Sequence, residues 1–405
     1  MAAPQIPAGF DFTDPDLYER RVPNEELAEL RRAAPIWWNA QPDSGFDDEG
    51  FWVVSKHADV VEISRNSDLF GSWENTAIIR HAADLKESID LQRLILLNID
   101  PPHHTKLRQI VSRGFTPRAI GNLREKLTER AERIVRTAVE NGTGDFVADV
   151  ACELPLQAIA ELIGVPQEDR KKIFEWSNTM IGYDDPEFGA AGQIAAAELV
   201  GYSMTMAEDR KQCPRDDIVT RLVNAEIDGD HLSSDEFGYF VILMSVAGNE
   251  TTRNAISHGM LAFFENPEQW ELYRAERPAS AADEIVRWAT PVTAFQRTAK
   301  ADTIIGGQEI KKGDRLGLFY RSANFDEDVF DAPDRFDILR DPNPHLGFGG
   351  TGAHYCIGVN LARLEIDLIF NAIADAMPGI SQTGEAERLR SGWINGIKRL
   401  PVTYS

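Results

Sequence analysis

The chain has 405 residues, of which 43% are hydrophobic, 26% charged and 9% aromatic. This apolar content suffices for a large core and excludes a wholly disordered chain, and no apolar run approaches the roughly 18 residues of a membrane-spanning helix. The net charge of −23 argues against a general nucleic-acid or anionic-membrane binder. Because the N-terminus also lacks a signal-peptide pattern, we expect a soluble, cytoplasmic protein without a membrane anchor.

Short strand patterns flank a helical middle. Residues Gly50 to Val54 are typical of a strand, as are Thr303 to Ile310 and Arg315 to Tyr320. Leu123 to Val139, rich in Glu, Arg, Leu and Ala, is one of several helical segments. No shift in composition marks a domain boundary. The predicted fold is therefore mainly α with small β-sheets, in a single domain over residues 1–405.

One stretch reverses the acidic character of the chain. Residues 101–124 contain no acidic residue, but they contain Lys106, Arg108, Arg113, Arg118 and Arg124. A solvated basic helix face would explain this pattern, and so would a surface for an acidic partner.

The longest predicted helix has an unusual centre. Ser233 and Glu236 fit a capping box, and the helix can run to about Phe264, before Asn266-Pro267 stops it. Its flanks are apolar nearly all round, which is typical of a buried helix. Polar residues are costly in such a place unless they are satisfied or used. Residues Ala247 to Thr252 therefore form either a kink with a satisfied glutamate or an opening that faces a ligand and relays protons.

A glycine-rich loop, His345 to Gly358, precedes the last long helix. Three of its glycines match GxGxxG, but Arg340 to Pro344 cannot form the strand that a dinucleotide site requires, and no acidic residue follows at the right distance. We therefore reject that interpretation. Cys356 lies where a helix N-terminus and nearby backbone amides lower the pKa of a thiol. The loop thus favours a thiolate that acts as a nucleophile or a metal ligand.

The residues near Cys356 in the sequence restrict which kind of site its thiolate can form. A thiol hydrolase would need a base, for which His354 is the nearby candidate. A zinc site would need further ligands, and Cys152 and Cys213 lie in unrelated helical segments. A single thiolate in a glycine cradle best suits a cofactor that brings its other ligands, as haem iron does.

These motifs resemble those of the cytochrome P450 superfamily of haem-thiolate monooxygenases. Phe348 to Gly358 resembles the haem-binding signature, Ala247 to Thr252 the oxygen-activation motif, Glu284 to Arg287 the ExxR pair, and Asp100 to Arg108 the segment that contacts the haem propionates. They follow the family's order and imply the P450 fold. One departure is that Gly349 occupies the family's usual phenylalanine position, seven residues before the cysteine, and Phe348 stands one residue earlier.

Four further runs are similar to actinobacterial steroid side-chain monooxygenases: residues 246–254, 288–298, 319–325 and 390–398. That resemblance implies hydroxylation of the terminal methyl, carbon 26 or 27, of cholesterol or cholest-4-en-3-one, with further oxidation to an acid in steroid catabolism. Two alternatives remain open. One is terminal hydroxylation of methyl-branched or long-chain lipids, and the other is a non-catalytic haem-binding protein.

The resemblance also implies roles for individual residues. The cofactor is haem b, with Cys356 as axial ligand; Thr251 hydrogen-bonds the reacting oxygen and Glu250 relays protons. Other haem contacts are expected from His104, Arg108, Arg297, His354, Phe348, Gly350, Ala247 and Gly358. Substrate contacts are expected from Ile95, Leu96, Leu97, Val246, Val292, Phe295, Trp393 and Ile394. Glu284 and Arg287 form the structural pair, which Arg335 or Arg340 completes, and of these we predict Arg335.

The implied partners are a sterol or other lipid, O2, and a ferredoxin with its NAD(P)H-dependent reductase. We hypothesise that the basic stretch serves the propionates on one side and docks an acidic ferredoxin on the other. We expect a monomer.

Overall fold

The computed structural model describes residues 4–42, 46, 48–80, 89–188, 191–215, 218–224, 226–227, 230–231 and 233–405. In this part of the chain the α-helices are α1 (Pro15–Arg20), α2 (Asn24–Ala33), α3 (His57–Arg65), α4 (Ile89–Gln92), α5 (His103–Ser112), α6 (Pro117–Gly121), α7 (Arg124–Asn141), α8 (Glu153–Ile163), α9 (Arg170–Ile181), α10 (Gly192–Gln212), α11 (Ile218–Val223), α12 (Ser234–Glu265), α13 (Pro267–Glu276), α14 (Ala281–Ala289), α15 (Tyr320–Ala323) and α16 (Val359–Ala376). Among the described helices, none combines the length and the apolar character needed to cross a membrane.

The strands of the same residues are β1 (Ile36–Ala40), β2 (Gly50–Val54), β3 (Phe70–Gly71), β4 (Thr143–Asp145), β5 (Glu226–Ile227), β6 (Asp230–His231), β7 (Ala294–Ala299), β8 (Thr303–Ile305), β9 (Gln308–Ile310), β10 (Arg315–Phe319), β11 (Ser381–Gln382), β12 (Glu387–Arg388), β13 (Ile397–Arg399) and β14 (Pro401–Thr403). They form one five-stranded sheet and smaller sheets of two or three strands. The predicted class, mainly α with small sheets, is confirmed.

The long helix α12 confirms the prediction made from its capping box. The Ser233 hydroxyl accepts from the Glu236 N–H at 3.1 Å, and the Glu236 carboxylate accepts from the Ser233 N–H at 2.9 Å. The helix ends at Glu265 because Pro267 begins α13. Contacts with α8, α9, α10, α14 and α16 surround α12, which explains why its flanks are apolar on nearly every side.

The helical core brings α12, α14 and α16 close together. A side chain in place of Gly259 of α12 would put its Cβ 2.9 Å from Ile285 and 3.0 Å from Phe370, so only glycine allows this approach without a shift. The face of α16 that carries Leu361, Leu364 and Leu368 is buried. This packing sets α12 and the start of α16 on two sides of one cavity.

The five-stranded sheet has the order β1-β2-β10-β7-β3. Strand β2 has the predicted bounds, and β10 ends one residue earlier than predicted. The predicted strand from Thr303 to Ile310 is instead a hairpin of β8 and β9, because Gly306 and Gly307 adopt φ values of +55° and +83° and turn the chain. In β7, Arg297 pairs with Leu316 of β10, and this strand carries Phe295 and Arg297 to the cavity.

Candidate active site

A mainly apolar cavity lies between α12 and the loop that precedes α16. Residues of α12, α5, β7 and the His345–Gly358 loop line it, including Ala247, Thr251 and Cys356. The sequence motifs far apart in the chain therefore meet at one place. In the described part of the chain, no group of three His, Cys, Asp or Glu could hold a metal ion, so nothing in these residues supports a zinc site.

The glycine-rich loop holds Cys356 at the cavity wall. Its N–H donates to the carbonyl of Phe348 at 2.9 Å, and a Cβ added to Gly358 would lie 3.8 Å from the Cys356 sulfur. Burial raises the pKa of the Cys356 thiol, and the amides of Gly358 and Val359 with the Arg108 guanidinium offset only part of this effect. The predicted lowering of this pKa by the helix N-terminus and the nearby amides is thus wrong as a net effect, because burial outweighs those amides. A metal cation bound to the sulfur would supply what is missing, because a coordinating thiol is deprotonated.

Four nitrogen-bearing side chains form a donor set beside Cys356. His104 and His354 lie with ring centroids 4.2 Å apart, and His104 Nδ1 and His354 Nε2 are buried without a hydrogen-bond partner. Arg108 donates to the carbonyl of Tyr355, and the buried Arg297 donates to the carbonyl of Gln296 at 2.7 Å. No ion pair joins either arginine to a carboxylate within the described residues.

The two arginines and the open donors of the two histidines favour the binding of an anion at this buried place. Burial, followed by the charges of Arg108 and Arg297, lowers the pKa of His104 to about 4, and the same causes lower the pKa of His354. Burial also lowers the pKa of the Arg297 guanidinium. Two carboxylates placed here would satisfy the open donors with charge-assisted hydrogen bonds. The propionates of a haem ligated by Cys356 fit this requirement, so the residues present fit the implied cofactor.

Most, but not all, of the remaining predicted haem contacts line the cavity. Ala247, Phe348 and Gly358 line the cavity. Gly350 does not; a Cβ there would lie 2.3 Å from the Ser64 hydroxyl of α3, so this glycine allows the loop to pack against α3. Gly347 and Gly349 of the loop line the cavity instead, and Gly349 turns the loop with a φ of +96°.

The polar centre of α12 is helical throughout, and the predicted opening of the helix is not present. Thr251 lines the cavity, and its hydroxyl donates to the carbonyl of Ala247 at 2.6 Å. Gly248 is required by helix packing, since a Cβ there would lie 2.3 Å from Ile159 of α8. The motif therefore brings a hydroxyl to the cavity without breaking the helix.

Glu250 points away from the cavity. Its side chain is buried and pairs with Arg253, which donates to Asn178 of α9 at 2.8 Å. Glu250 Oε1 has no hydrogen-bond partner. Burial raises the pKa of Glu250, and Arg253 offsets only part of the shift. Its role as a proton relay stays a prediction that requires a change in the contact with Arg253.

A second buried carboxyl, Glu365 of α16, was missed by sequence reasoning. It lines the cavity, and neither carboxyl oxygen has a hydrogen-bond partner. Burial raises the pKa of Glu365 well above its usual range, while the Thr252 hydroxyl acts in the opposite direction. Arg363, Glu365 and Asp367 alternate with apolar residues in this helix, so the sequence did not distinguish Glu365, and only the packing shows that it faces the cavity.

The ExxR pair is buried, and its third member is Arg340. Two nitrogens of Arg287 donate to the two Glu284 oxygens at 2.8 Å each, and Arg340 Nε donates to Glu284 at 3.2 Å. The prediction of Arg335 is wrong: its side chain is 68% exposed and pairs with Asp337. Arg335 contributes its carbonyl instead, which accepts from both Arg287 and Arg340, because the turn of the chain points its side chain outward.

The predicted substrate residues also divide into two groups. Those that line the cavity are Leu96, Leu97, Val292 and Phe295. Ile95, Val246, Trp393 and Ile394 are not part of its lining. Trp393 lies with its ring centroid 6.2 Å from that of Phe295, and Val246 packs in the same apolar cluster as Phe295. Sequence reasoning missed Phe240, Leu243 and Met244, which α12 contributes to the lining.

Comparisons with known proteins show what this chain is similar to. Residues 280–374 match the model of the cytochrome P450 family. The chain is 65% identical over 407 residues to a steroid C26-monooxygenase of Rhodococcus jostii (strain RHA1), covering 100% of this chain and 86% of the relative. It is 41% identical to a methyl-branched lipid omega-hydroxylase of Mycobacterium tuberculosis (strain CDC 1551 / Oshkosh), covering 99% and 96%. A Mycobacterium marinum cytochrome P450 in complex with pseudoionone superposes with a TM-score of 0.89 at 36% identity over 94% of each chain.

Proposed function

Since this chain belongs to the cytochrome P450 family, we propose that it is a steroid C26-monooxygenase that hydroxylates the terminal side-chain methyl of cholesterol or cholest-4-en-3-one and oxidises it further to the acid. The observation that carries this proposal is the 65% identity, over the whole chain, to an enzyme of that name. The apolar lining of the cavity suits a hydrocarbon substrate.

The cofactor we propose is haem b, ligated by the Cys356 thiolate. Its propionates would bind His104, Arg108, Arg297 and His354, whose open donors support this assignment. When bound, the haem supplies the activation of O2 that inserts an oxygen atom into an unactivated C–H bond.

The protein's own part in the reaction is to exclude water and to hold protons near the cavity. Thr251 presents a hydroxyl there. Burial raises the pKa of Glu250 and raises that of Glu365 well above its usual range, so burial favours the protonated form of both carboxyls, most strongly that of Glu365. We assign the relay to Glu250 through Thr251, with Glu365 and Thr252 as a second carboxyl and hydroxyl at the cavity.

The electron donor we propose is an acidic ferredoxin, reduced by an NAD(P)H-dependent reductase. Exposed Arg118 and half-exposed Arg124 belong to the basic stretch of the sequence, whereas the side chain of Arg113 lies outside the described residues. We also infer a cytoplasmic monomer formed as one domain over residues 1–405. Charge reversal of Arg118 is expected to slow reduction by ferredoxin without changing substrate affinity, and unchanged reduction kinetics would argue against this surface.

The second candidate is terminal hydroxylation of a methyl-branched lipid. It is favoured by the 41% identity to an omega-hydroxylase, since a methyl group at the end of a long apolar chain presents the same reacting group. A non-catalytic haem protein is disfavoured by the hydroxyl of Thr251 at the cavity.

Titration of the haem-loaded protein with cholest-4-en-3-one tests the proposal. Binding is expected to displace the axial water and convert the haem from low to high spin, and turnover with ferredoxin, reductase and O2 is expected to give the C26 alcohol and acid. A response to methyl-branched fatty acids with none to the sterol would select the second candidate. The variant Cys356→Ala is the control, and it should lose the thiolate-shifted Soret band of the reduced CO complex.

A further inference from the structure

His345, at the start of the glycine-rich loop, has both ring nitrogens engaged. Its side chain is 3% exposed. Nδ1 accepts from the N–H of Gly347 at 3.1 Å, so the ring proton must be on Nε2, which lies 3.0 Å from Asp283 Oδ1 and donates to it. The two contacts together fix the tautomer and the orientation of the imidazole.

Asp283 joins three elements of the fold at one oxygen. Its Oδ1 accepts from His345 of the loop and from Arg363 Nε of α16 at 2.8 Å, while Asp283 itself lies in the first turn of α14. Burial raises the pKa of Asp283, but the bonds from His345 and Arg363 outweigh this and hold the pKa below its usual value. Asp283 is therefore a carboxylate that fixes His345 relative to α14 and α16.

The same two side chains hold the ring of Phe348. The His345 ring centroid lies 5.5 Å from that of Phe348, and the Arg363 guanidinium lies 5.3 Å from it. Phe348 lines the cavity beside Cys356, and its carbonyl accepts the Cys356 N–H. Displacement of Phe348 would thus disturb the backbone partner of the cysteine and the apolar lining of the cavity together.

We propose that His345 is a positioning residue for the Cys356 loop. By accepting the Gly347 N–H it holds Phe348 in place, and through Phe348 it sets the reduction potential of the haem and the retention of the thiolate ligand. Groups that orient a metal ligand tune the metal in this way. The inference depends on the proposed haem-thiolate site but not on the steroid substrate.

The access of water to the Cys356 sulfur determines in which direction the midpoint potential changes when the acceptor of His345 is removed. Without the acceptor, the half-buried Gly347 N–H loses its partner and the loop loosens, which admits water near the sulfur. The reduced centre carries one more negative charge than the oxidised centre, so water stabilises it more. The midpoint potential should therefore become more positive, and the thiolate ligand should be lost more easily.

Three substitutions separate the two hydrogen bonds of His345. In His345→Asn the amide oxygen can take the place of Nδ1 as acceptor for Gly347, while the bond to Asp283 is lost. His345→Phe keeps a ring but neither bond, and His345→Gln keeps a donor toward Asp283 without an acceptor at Gly347. The matched control is His57→Phe, because His57 Nε2 contacts the carbonyl of Pro344, just before the loop, at 2.9 Å.

The measurements are the midpoint potential of the substrate-free holoenzyme and the fraction of its reduced CO complex with the thiolate-shifted Soret band. His345→Phe and His345→Gln should raise the ratio of reduced to oxidised haem at a given potential by up to about tenfold, which is about 59 mV for one electron. Both should also lower the thiolate-ligated fraction. His345→Asn and His57→Phe should stay close to the wild type.

A wild-type potential in both His345→Phe and His345→Gln would overturn the proposal, and so would an equal shift in all three His345 variants. If His345→Phe does not bind haem, His345→Gln and His345→Asn are compared instead. A wild-type potential in His345→Gln, or an equal shift in both variants, would then overturn the proposal. Absence of the thiolate-shifted band in the wild type would instead refute the haem-thiolate site, on which this inference depends.

Discussion

Replacing Arg340 by alanine is expected to destabilise the protein strongly, whereas the same change at Arg335 should have no measurable effect. The Arg340 side chain is 8% exposed and donates to the buried Glu284 carboxylate at 3.2 Å. It also donates to the carbonyls of Asp331, Ala332 and Arg335 at 2.7, 3.1 and 2.9 Å. The Arg335 side chain is exposed and bonds only to Asp337 among the contacts described for it.

The loss of stability expected for Arg340→Ala follows from these contacts. Removing one partner of a buried ion pair costs about 3–5 kcal/mol, and the lower end applies because Glu284 keeps both hydrogen bonds from Arg287. The three carbonyl bonds lie near the surface, where water can replace them, so together they add about 1–2 kcal/mol. A loss of roughly 4–5 kcal/mol is a large part of the 5–15 kcal/mol by which native proteins are stable.

Urea unfolding, followed by circular dichroism and by haem absorbance, measures the difference. With similar m-values, the midpoint for Arg340→Ala should fall well below that of the wild type, and the midpoint for Arg335→Ala should coincide with it. Equal destabilisation by the two variants, or tolerance of Arg340→Ala, would refute the assignment of Arg340 as the third member of the buried network.

Other substitutions probe α12 and the cavity. Glu365→Gln should raise the unfolding midpoint at neutral pH and leave it unchanged near pH 4.5. The reason is that above the ordinary pKa of 4.5 the unfolded chain releases a proton that the folded protein retains. A difference in midpoint that stays constant at all pH values would contradict this. Gly248→Ala should destabilise the protein by about 1–2 kcal/mol, since overpacking against Ile159 exceeds the gain in helix propensity, and Ile159→Val should restore part of the loss. Thr251→Ala should release more peroxide per O2 consumed, whereas tight coupling in that variant would reject the role of its hydroxyl.

Local patterns predicted much of the fold. The capping box at Ser233 and Glu236, the strand at Gly50–Val54 and the helix after Cys356 all depend on residues close in sequence, and the structure contains each of them. The pairing of Glu284 with Arg287 is of the same kind, because residues three apart on a helix face one another. The hairpin at Gly306-Gly307 depends on a local pattern too, because two glycines between short strand-like runs favour a tight turn, and the prediction of one continuous strand overlooked them.

The sequence by itself determined the cysteine, the order of the motifs and the family they indicate, because these depend on residue type and spacing. Only the tertiary structure decided which arginine reaches Glu284, that Glu365 faces the cavity, and that His345, Asp283 and Arg363 meet beside Phe348. Each of these outcomes depends on the direction in which a side chain leaves its helix or loop and on what packs against it. Such directions are set by contacts between residues far apart in the chain, which no local pattern contains.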